Sequence, residues 1–234
     1  MAKESTIYSM LVEDLSEAKA SRLLKGYIDR SNVIYNEAYR AAREDSVYEE
    51  FAPYYEGHVL FFLHQTMFIN LARDCDLKWQ IKRCEANGFP IAVVYVGRFH
   101  FTSHHASSPY EVACLNPSLM RAQNSNVNMS LLQRQLFDAP FDEAKLTKAD
   151  DIYGNFIHGC RGTGQTFVTD GFTQIAFPIA TSVQTTEEAK RRLRYVERYS
   201  LYNVIDSVVD RENQIRRVAK PTVLAVAPKI KKQQ

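Results

Sequence analysis

The apolar positions of this chain recur at helical spacing near its start. Over residues 16 to about 45, Leu24, Ile28, Tyr35, Ala38 and Ala42 repeat three, four or seven residues apart. Lys25, Asp29, Arg30, Glu37 and Arg40 fall largely elsewhere around the axis. That period predicts a long amphipathic helix. Ser16 supplies an N-cap oxygen, and Glu17 places a negative charge in the first turn, where the helix dipole favours it. Pro53 then separates a second helix, about 54 to 73. Its stripe is Leu60, Leu63, Met67 and Leu71, widened by Phe61, Phe62, Phe68 and Ile69, so most of it is expected to be buried.

The pattern then shortens to strand-like runs. Trp79 to Cys84 and Phe89 to Val96 flank Asn87-Gly88, a dipeptide that tolerates the positive φ of a type I′ hairpin turn. Gly97 turns the chain into a third strand, Arg98 to Ser103. A competing reading continues the second helix through 76–86, with Gly88 as its stop and Pro90 beyond. The β-branched and aromatic flanks favour the hairpin. Residues 106 to 150 read as loop and broken helix, opened by Asn116-Pro117 and closed by Pro140. Ile152 to His158 reads as a strand, and Thr166 to Thr169 with Phe172 to Phe177 as a hairpin about Asp170-Gly171. A final helix is expected from Thr185, where Thr185 and Glu188 fit a capping box. Leu193, Val196, Leu201, Val204, Ile205 and Val208 would be its buried face.

Helices, strands, helix, strands and helix in that order do not alternate regularly. The expected class is α+β, with an antiparallel or mixed sheet, two long N-terminal helices and a C-terminal helix. Residues 1–217 form the expected domain, helical over 1–75 and sheet-containing over 76–217. Residues 218–234 carry Pro221, Pro228, four lysines and no acid, and read as a basic extended or disordered tail.

Composition adds two constraints. No apolar run approaches the roughly 20 residues of a membrane span, and no apolar stretch follows a basic start, so a cytoplasmic protein with no membrane partner is expected. Cys75, Cys84, Cys114 and Cys160 include no CxxC pair and read as ordinary thiols. Charge is uneven. From Glu187 onward there are 12 Lys/Arg against 6 Asp/Glu, while the first 186 residues hold 17 against 21.

Candidate chemistry is sparse. His100, His104 and His105 lie within six residues. On an extended strand His100 and His104 share a face but stand about 13 Å apart, too far to share one ion at about 2.1 Å per bond. A metal site would need a bend and a ligand from elsewhere, such as His158. His58 and His64 are six apart on a helix, so they are not an i, i+4 zinc pair, and they read as core or boundary residues. Gly159-Cys-Arg-Gly-Thr-Gly-Gln165 is glycine-rich but lacks the Gly-Lys-Ser/Thr of a phosphate loop; it reads as a flexible hairpin loop, with Arg161 the candidate for an anion or partner contact. Arg191, Arg192, Arg194 and Arg198 crowd Tyr195 and Tyr199, the vocabulary of interaction surfaces.

These observations lean toward a non-enzymatic binding or regulatory protein without a cofactor. Its partner would be a protein or a nucleic acid, met through Arg161, Arg191, Arg192, Arg194, Tyr195, Arg198, Tyr199, Lys229, Lys231 and Lys232. The alternative is a metal-assisted hydrolase or nuclease using His100, His104, His105 and His158. A further alternative is a structural or assembly protein held by its N-terminal helices.

Overall fold

The computed structural model describes residues 6–44, 52–83, 88–110, 113–115, 121, 124, 125, 128, 152–160, 171–182 and 191–219. Helices α1 (Thr6–Glu17), α2 (Ser21–Glu44) and α3 (Ala52–Asp74) come first. Strands β1 (Lys78–Arg83), β2 (Pro90–Val96), β3 (Phe99–His105), β4 (Ala113–Leu115), β5 (Ile152–Cys160), β6 (Gly171–Ser182) and β7 (Arg191–Ser200) follow, and helix α4 (Leu201–Ala219) is last. The strands form one mixed sheet in the order β1-β2-β3-β5-β6-β7-β4. Only β3 and β5 are parallel; the other pairs are antiparallel. The class is α+β. Among the described residues, no helix is long and apolar enough to cross a membrane.

The N-terminal reading needs one correction. Ser16 does not begin a helix; it lies in the last turn of α1, where its hydroxyl donates to the Val12 carbonyl. The chain turns at Lys19, which takes a positive φ of 54°, and α2 starts at Ser21. Its cap comes from α4: the Glu212 carboxylate accepts Ser21 N–H at 3.2 Å and Ser21 O–H at 2.8 Å. A carboxylate there meets the positive end of the helix dipole. The stripe of α2 nevertheless packs as expected, with Leu24, Ile28, Tyr35 and Ala38 buried.

The first hairpin is strand, not helix, over Lys78–Arg83, which pairs in register from Lys78 with Tyr95 to Arg83 with Pro90. Gly88 has the positive φ, 69°, that the turn requires. At Gly97 the chain turns again with φ 54°, and a Cβ there would meet Asp14 Oδ2 at 2.3 Å. Glycine is needed because the buried Asp14 carboxylate accepts Arg98 N–H at 2.6 Å and two guanidinium N–H groups. That pairing, with Glu13 added, raises the Arg98 pKa above its ordinary value.

The C-terminal reading needs the larger correction. Arg191–Ser200 is strand β7, and the last helix starts only at Leu201. Leu193 and Val196 fit a helical stripe, but Leu193, Tyr195 and Val196 also fit a strand broken by one bulge. The register shifts between Phe177 and Pro178, where Val196 is the extra residue of β7. Pairing with the twelve-residue β6 settles the conformation. Phe172–Phe177 is strand as expected, but within β6, bonded to β5 and β7. Residues 166–169 and the capping pair Thr185 and Glu188 lie outside the described residues. Ala113–Leu115 pairs with β7 as a short edge strand inside a stretch expected to be mostly loop and helix.

The core lies between the helices and one face of the sheet. Phe99, Phe101, Phe156 and Phe177 meet Leu11, Leu24, Tyr27, Phe68 and Val204 there. Gly154 is small because a Cβ would stand 2.5 Å from the Phe101 ring.

Candidate functional site

Side chains alternate across a strand, so β3 and β5 divide the sequence's candidates between two faces. His105 and His158 turn to the helices; His100 and His104 turn away with Thr102, Tyr153 and Asn155. The histidines proposed as a metal set therefore do not converge. Among the described residues, no three His, Cys, Asp or Glu side chains are placed to hold a metal ion.

On the helix face, His158 is buried against α2 and α3. The Tyr35 hydroxyl lies 2.8 Å from His158 Nδ1. The His64 ring stacks on His158 with centroids 3.5 Å apart and planes 5° from parallel. His105 is exposed, with its ring 5.9 Å from that of His158. The Leu60 carbonyl, 2.9 Å from His64 Nδ1, accepts its proton. His64 Nε2 thus carries a lone pair, and this buried atom has no hydrogen-bond partner. Parallel rings at that spacing aim their in-plane lone pairs side by side, so the pair cannot chelate one ion with normal geometry. Burial holds His64 down to about pKa 4. His158 is pushed well below the ordinary value by burial and then by His64. Both are neutral imidazoles near pH 7.

On the second face, register builds a row across the sheet: Tyr95 beside His100, His100 beside Tyr153, and Pro178 beside Tyr195. Pro178 has no N–H to give, and the pairing of β5 with β6 stops at Asn155 and Ala176. Asn128 fills the gap. Its Nδ2 donates to the carbonyls of Tyr153 and Pro178, each at 2.7 Å, and its Oδ1 accepts Tyr153 N–H at 2.9 Å. Beside the row, Thr102 Oγ1 lies 2.6 Å from both His104 Nε2 and the Tyr153 hydroxyl, and donates to Asn155 Oδ1 at 3.1 Å. Burial pushes Tyr153 up to about 12. Burial, and then the Arg121 cation, hold His104 well below its ordinary value.

The row ends at arginines. Arg121 Nη2 donates to the Tyr195 hydroxyl at 2.9 Å, and the Arg198 guanidinium lies 5.2 Å from the centre of the same ring. Arg194 is exposed on β7, whereas Tyr195 is buried. Tyr199 is used internally: its ring lies 4.7 Å from Tyr8, and its hydroxyl donates to Glu197. It is a packing residue. The side chains of Arg191 and Arg192, and all of Arg161, Lys229, Lys231 and Lys232, lie outside the described residues.

The glycine-rich segment is described only where it begins, and close packing explains what is seen. A Cβ on Gly159 would meet the Ala106 carbonyl at 2.2 Å. Sequence reasoning missed Arg121, Asn128, Tyr153 and Asn155 as site residues. Alternation in Ile152–His158 puts Tyr153 and Asn155 on one face, which was a usable signal. Nothing local marks Asn128.

No protein-family model matches this chain, and no curated protein or solved structure shows significant similarity to it.

Proposed function

We propose that the protein is a non-enzymatic binding protein that engages an anionic macromolecular partner, a nucleic acid or an acidic protein, through the arginines of β7. The observation that supports this is the placement of two guanidinium groups on Tyr195, Arg121 at its hydroxyl and Arg198 over its ring. An aromatic ring and a hydrogen bond hold the arginines in defined positions and reduce what their ordering costs on binding. Exposed Arg194 adds a cation to the strand that carries Arg198, on the face opposite Tyr195. The basic segment after Arg217 extends the positive charge along the sequence. Guanidinium is suited to phosphate and carboxylate alike, because its fork of donors matches two oxygens at once.

The test is fluorescence anisotropy with a labelled single-stranded oligonucleotide and with a labelled acidic peptide, over a range of salt concentrations. Arg194→Ala combined with Arg198→Ala is expected to weaken binding to one of the two probes. If phosphates are the target, the slope of log affinity on log salt falls by about one for each contact removed. Equal affinity and slope for wild type and variant with both probes would refute the proposal. A chain ending at Arg217 measures the share carried by the tail.

A further inference from the structure

The second face of the sheet carries an incomplete hydrogen-bonding pair apart from the arginines. Asn155 on β5 is fully buried, and its Nδ2 has no partner, while its Oδ1 is taken by Thr102. The open position on Asn155 is a donor because the Thr102 hydroxyl donates to Oδ1, which assigns the amide with Nδ2 on the open side. Gln174 on β6 is its diagonal neighbour, because Asn155 pairs with Ala176 and Ile157 with Gln174. Its Nε2 donates to the Pro109 carbonyl at 3.3 Å, which fixes the side chain and leaves a buried Oε1 without a partner.

A donor and an acceptor are thus left open on one face of adjacent strands. Diagonal neighbours stand about 7–8 Å apart, within the reach of two amide side chains toward a common small group. An unmade hydrogen bond at a buried polar atom costs about 1–3 kcal/mol, so two at one place call for an occupant.

We infer that Asn155 and Gln174 form a site for a planar group presenting an acceptor beside a donor, the edge of a nucleobase. Every nucleobase has such an edge: N1 and the N6 amine in adenine, N3 and the N4 amine in cytosine, O4 and N3–H in uracil. In the ordinary pairing, Asn155 Nδ2–H donates to the acceptor of the base edge and Gln174 Oε1 accepts the adjacent N–H. The Tyr153 hydroxyl and Thr102 hold Asn155 from the other side, through a hydrogen-bonded chain that ends at His104. The site stands whether or not the arginines of β7 bind a polymer.

The experiment titrates the full chain with adenosine, cytidine and uridine, reading ligand-observed saturation transfer and the amide side-chain resonances of isotope-labelled protein. At least one nucleoside is expected to saturate with an affinity better than about 1 mM. Gln174→Leu and Asn155→Ala are each expected to weaken it by about tenfold or more. Circular dichroism establishes which variants fold, and half-buried Gln174 keeps the test decisive if Asn155→Ala does not. Absence of binding up to about 10 mM for all three nucleosides would overturn the inference and assign the vacancy to bridging water. So would binding that survives Gln174→Leu unchanged. The same nucleosides against a short oligonucleotide separate free ligand from a base within a strand.

Discussion

On β3, Phe99, Phe101 and Ser103 turn toward the helices, whereas His100, Thr102 and His104 turn the other way. The same alternation on β5 sends Phe156 and His158 to one side and Tyr153 and Asn155 to the other. The helix face is a phenylalanine core with a few polar insertions: Tyr27 bonded to Ser103 at 2.7 Å, and Tyr35 bonded to His158 at 2.8 Å. The second face is the reverse, a hydrogen-bonded network with small apolar patches such as Ala106, Ile157 and Ala176. A core of rings is stabilised by area removed from water and by close packing. A polar network adds little net stability per bond and is costly when left incomplete. The helix face therefore carries most of the folding free energy, and the second face holds the polar network.

The strongest way to break this comparison is to open a cavity on the helix face. The Phe156 ring touches Tyr27, Phe68 and Phe101, with centroids 4.9, 5.0 and 5.2 Å away. Phe156→Ala is expected to cost about 3–5 kcal/mol in chemical denaturation. A loss below about 1 kcal/mol would show that this face is not the packed one.

Acid is the next largest probe, because it acts on the stacked imidazoles. An unfolded histidine titrates near 6.5, and folded His64 titrates near 4. Between those values the unfolded chain binds more protons. The stability that His64 contributes is complete above about pH 6.5 and is lost as pH falls toward 4, by about 3 kcal/mol. His158, depressed in the same direction, adds to the loss. His64→Phe keeps a flat ring beside His158 and is expected to reduce the drop measured between pH 7 and pH 4.5. An identical drop in both proteins would clear His64 of the acid sensitivity.

The legible part of this molecule was the part written in local periodicity. The stripes of α2 and α3, the Asn87-Gly88 hairpin and the turn at Gly97 each depend on neighbours within a few residues. Arg191–Ser200 misled because its apolar residues satisfy a helical and a bulged-strand pattern together, and only pairing with β6, the preceding strand, decides between them. Helix α1 was missed because its apolar positions, Ile7, Met10, Leu11 and Leu15, precede the point at which Ser16 looked like a cap. The histidines show the same limit. Spacing alone disfavoured a shared ion for His100 and His104, but the stack of His64 on His158 joins α3 to β5 and has no local trace.

The two amides that wedge into the sheet compare the faces at the scale of single side chains. Gln65 enters from α3: its Nε2 donates to the Ser103 carbonyl at 3.2 Å, and its Oε1 accepts Ala92 N–H at 2.8 Å, just beyond the last paired residues of β2 and β3. Asn128 does the same between β5 and β6 from the second face. Truncating either to alanine strands buried backbone groups, so Asn128→Ala and Gln65→Ala are each expected to cost about 2–3 kcal/mol. Amide hydrogen exchange sharpens the comparison. Asn128→Ala is expected to speed exchange at Tyr153, and Gln65→Ala at Ala92, each without the other. Exchange that rises at both sites in both variants would mean global unfolding and remove the wedges from the argument.

Tyr195→Phe is the mildest change and bears most directly on binding. It removes the hydroxyl that receives Arg121 but leaves the ring beneath Arg198 and the apolar contact with Ala176. A hydrogen bond to a charged group is worth about 1.5–3 kcal/mol, and Arg121 retains other contacts, so a stability loss of about 1 kcal/mol is expected. Affinity for the proposed anionic partner should fall further than stability does, because a guanidinium released from its hydroxyl anchor must be ordered again on binding. Parallel denaturation and anisotropy measurements separate the two effects. A loss of stability with affinity untouched would make Tyr195 a structural tyrosine like Tyr199, and would leave the exposed arginine of β7 to hold the partner without it.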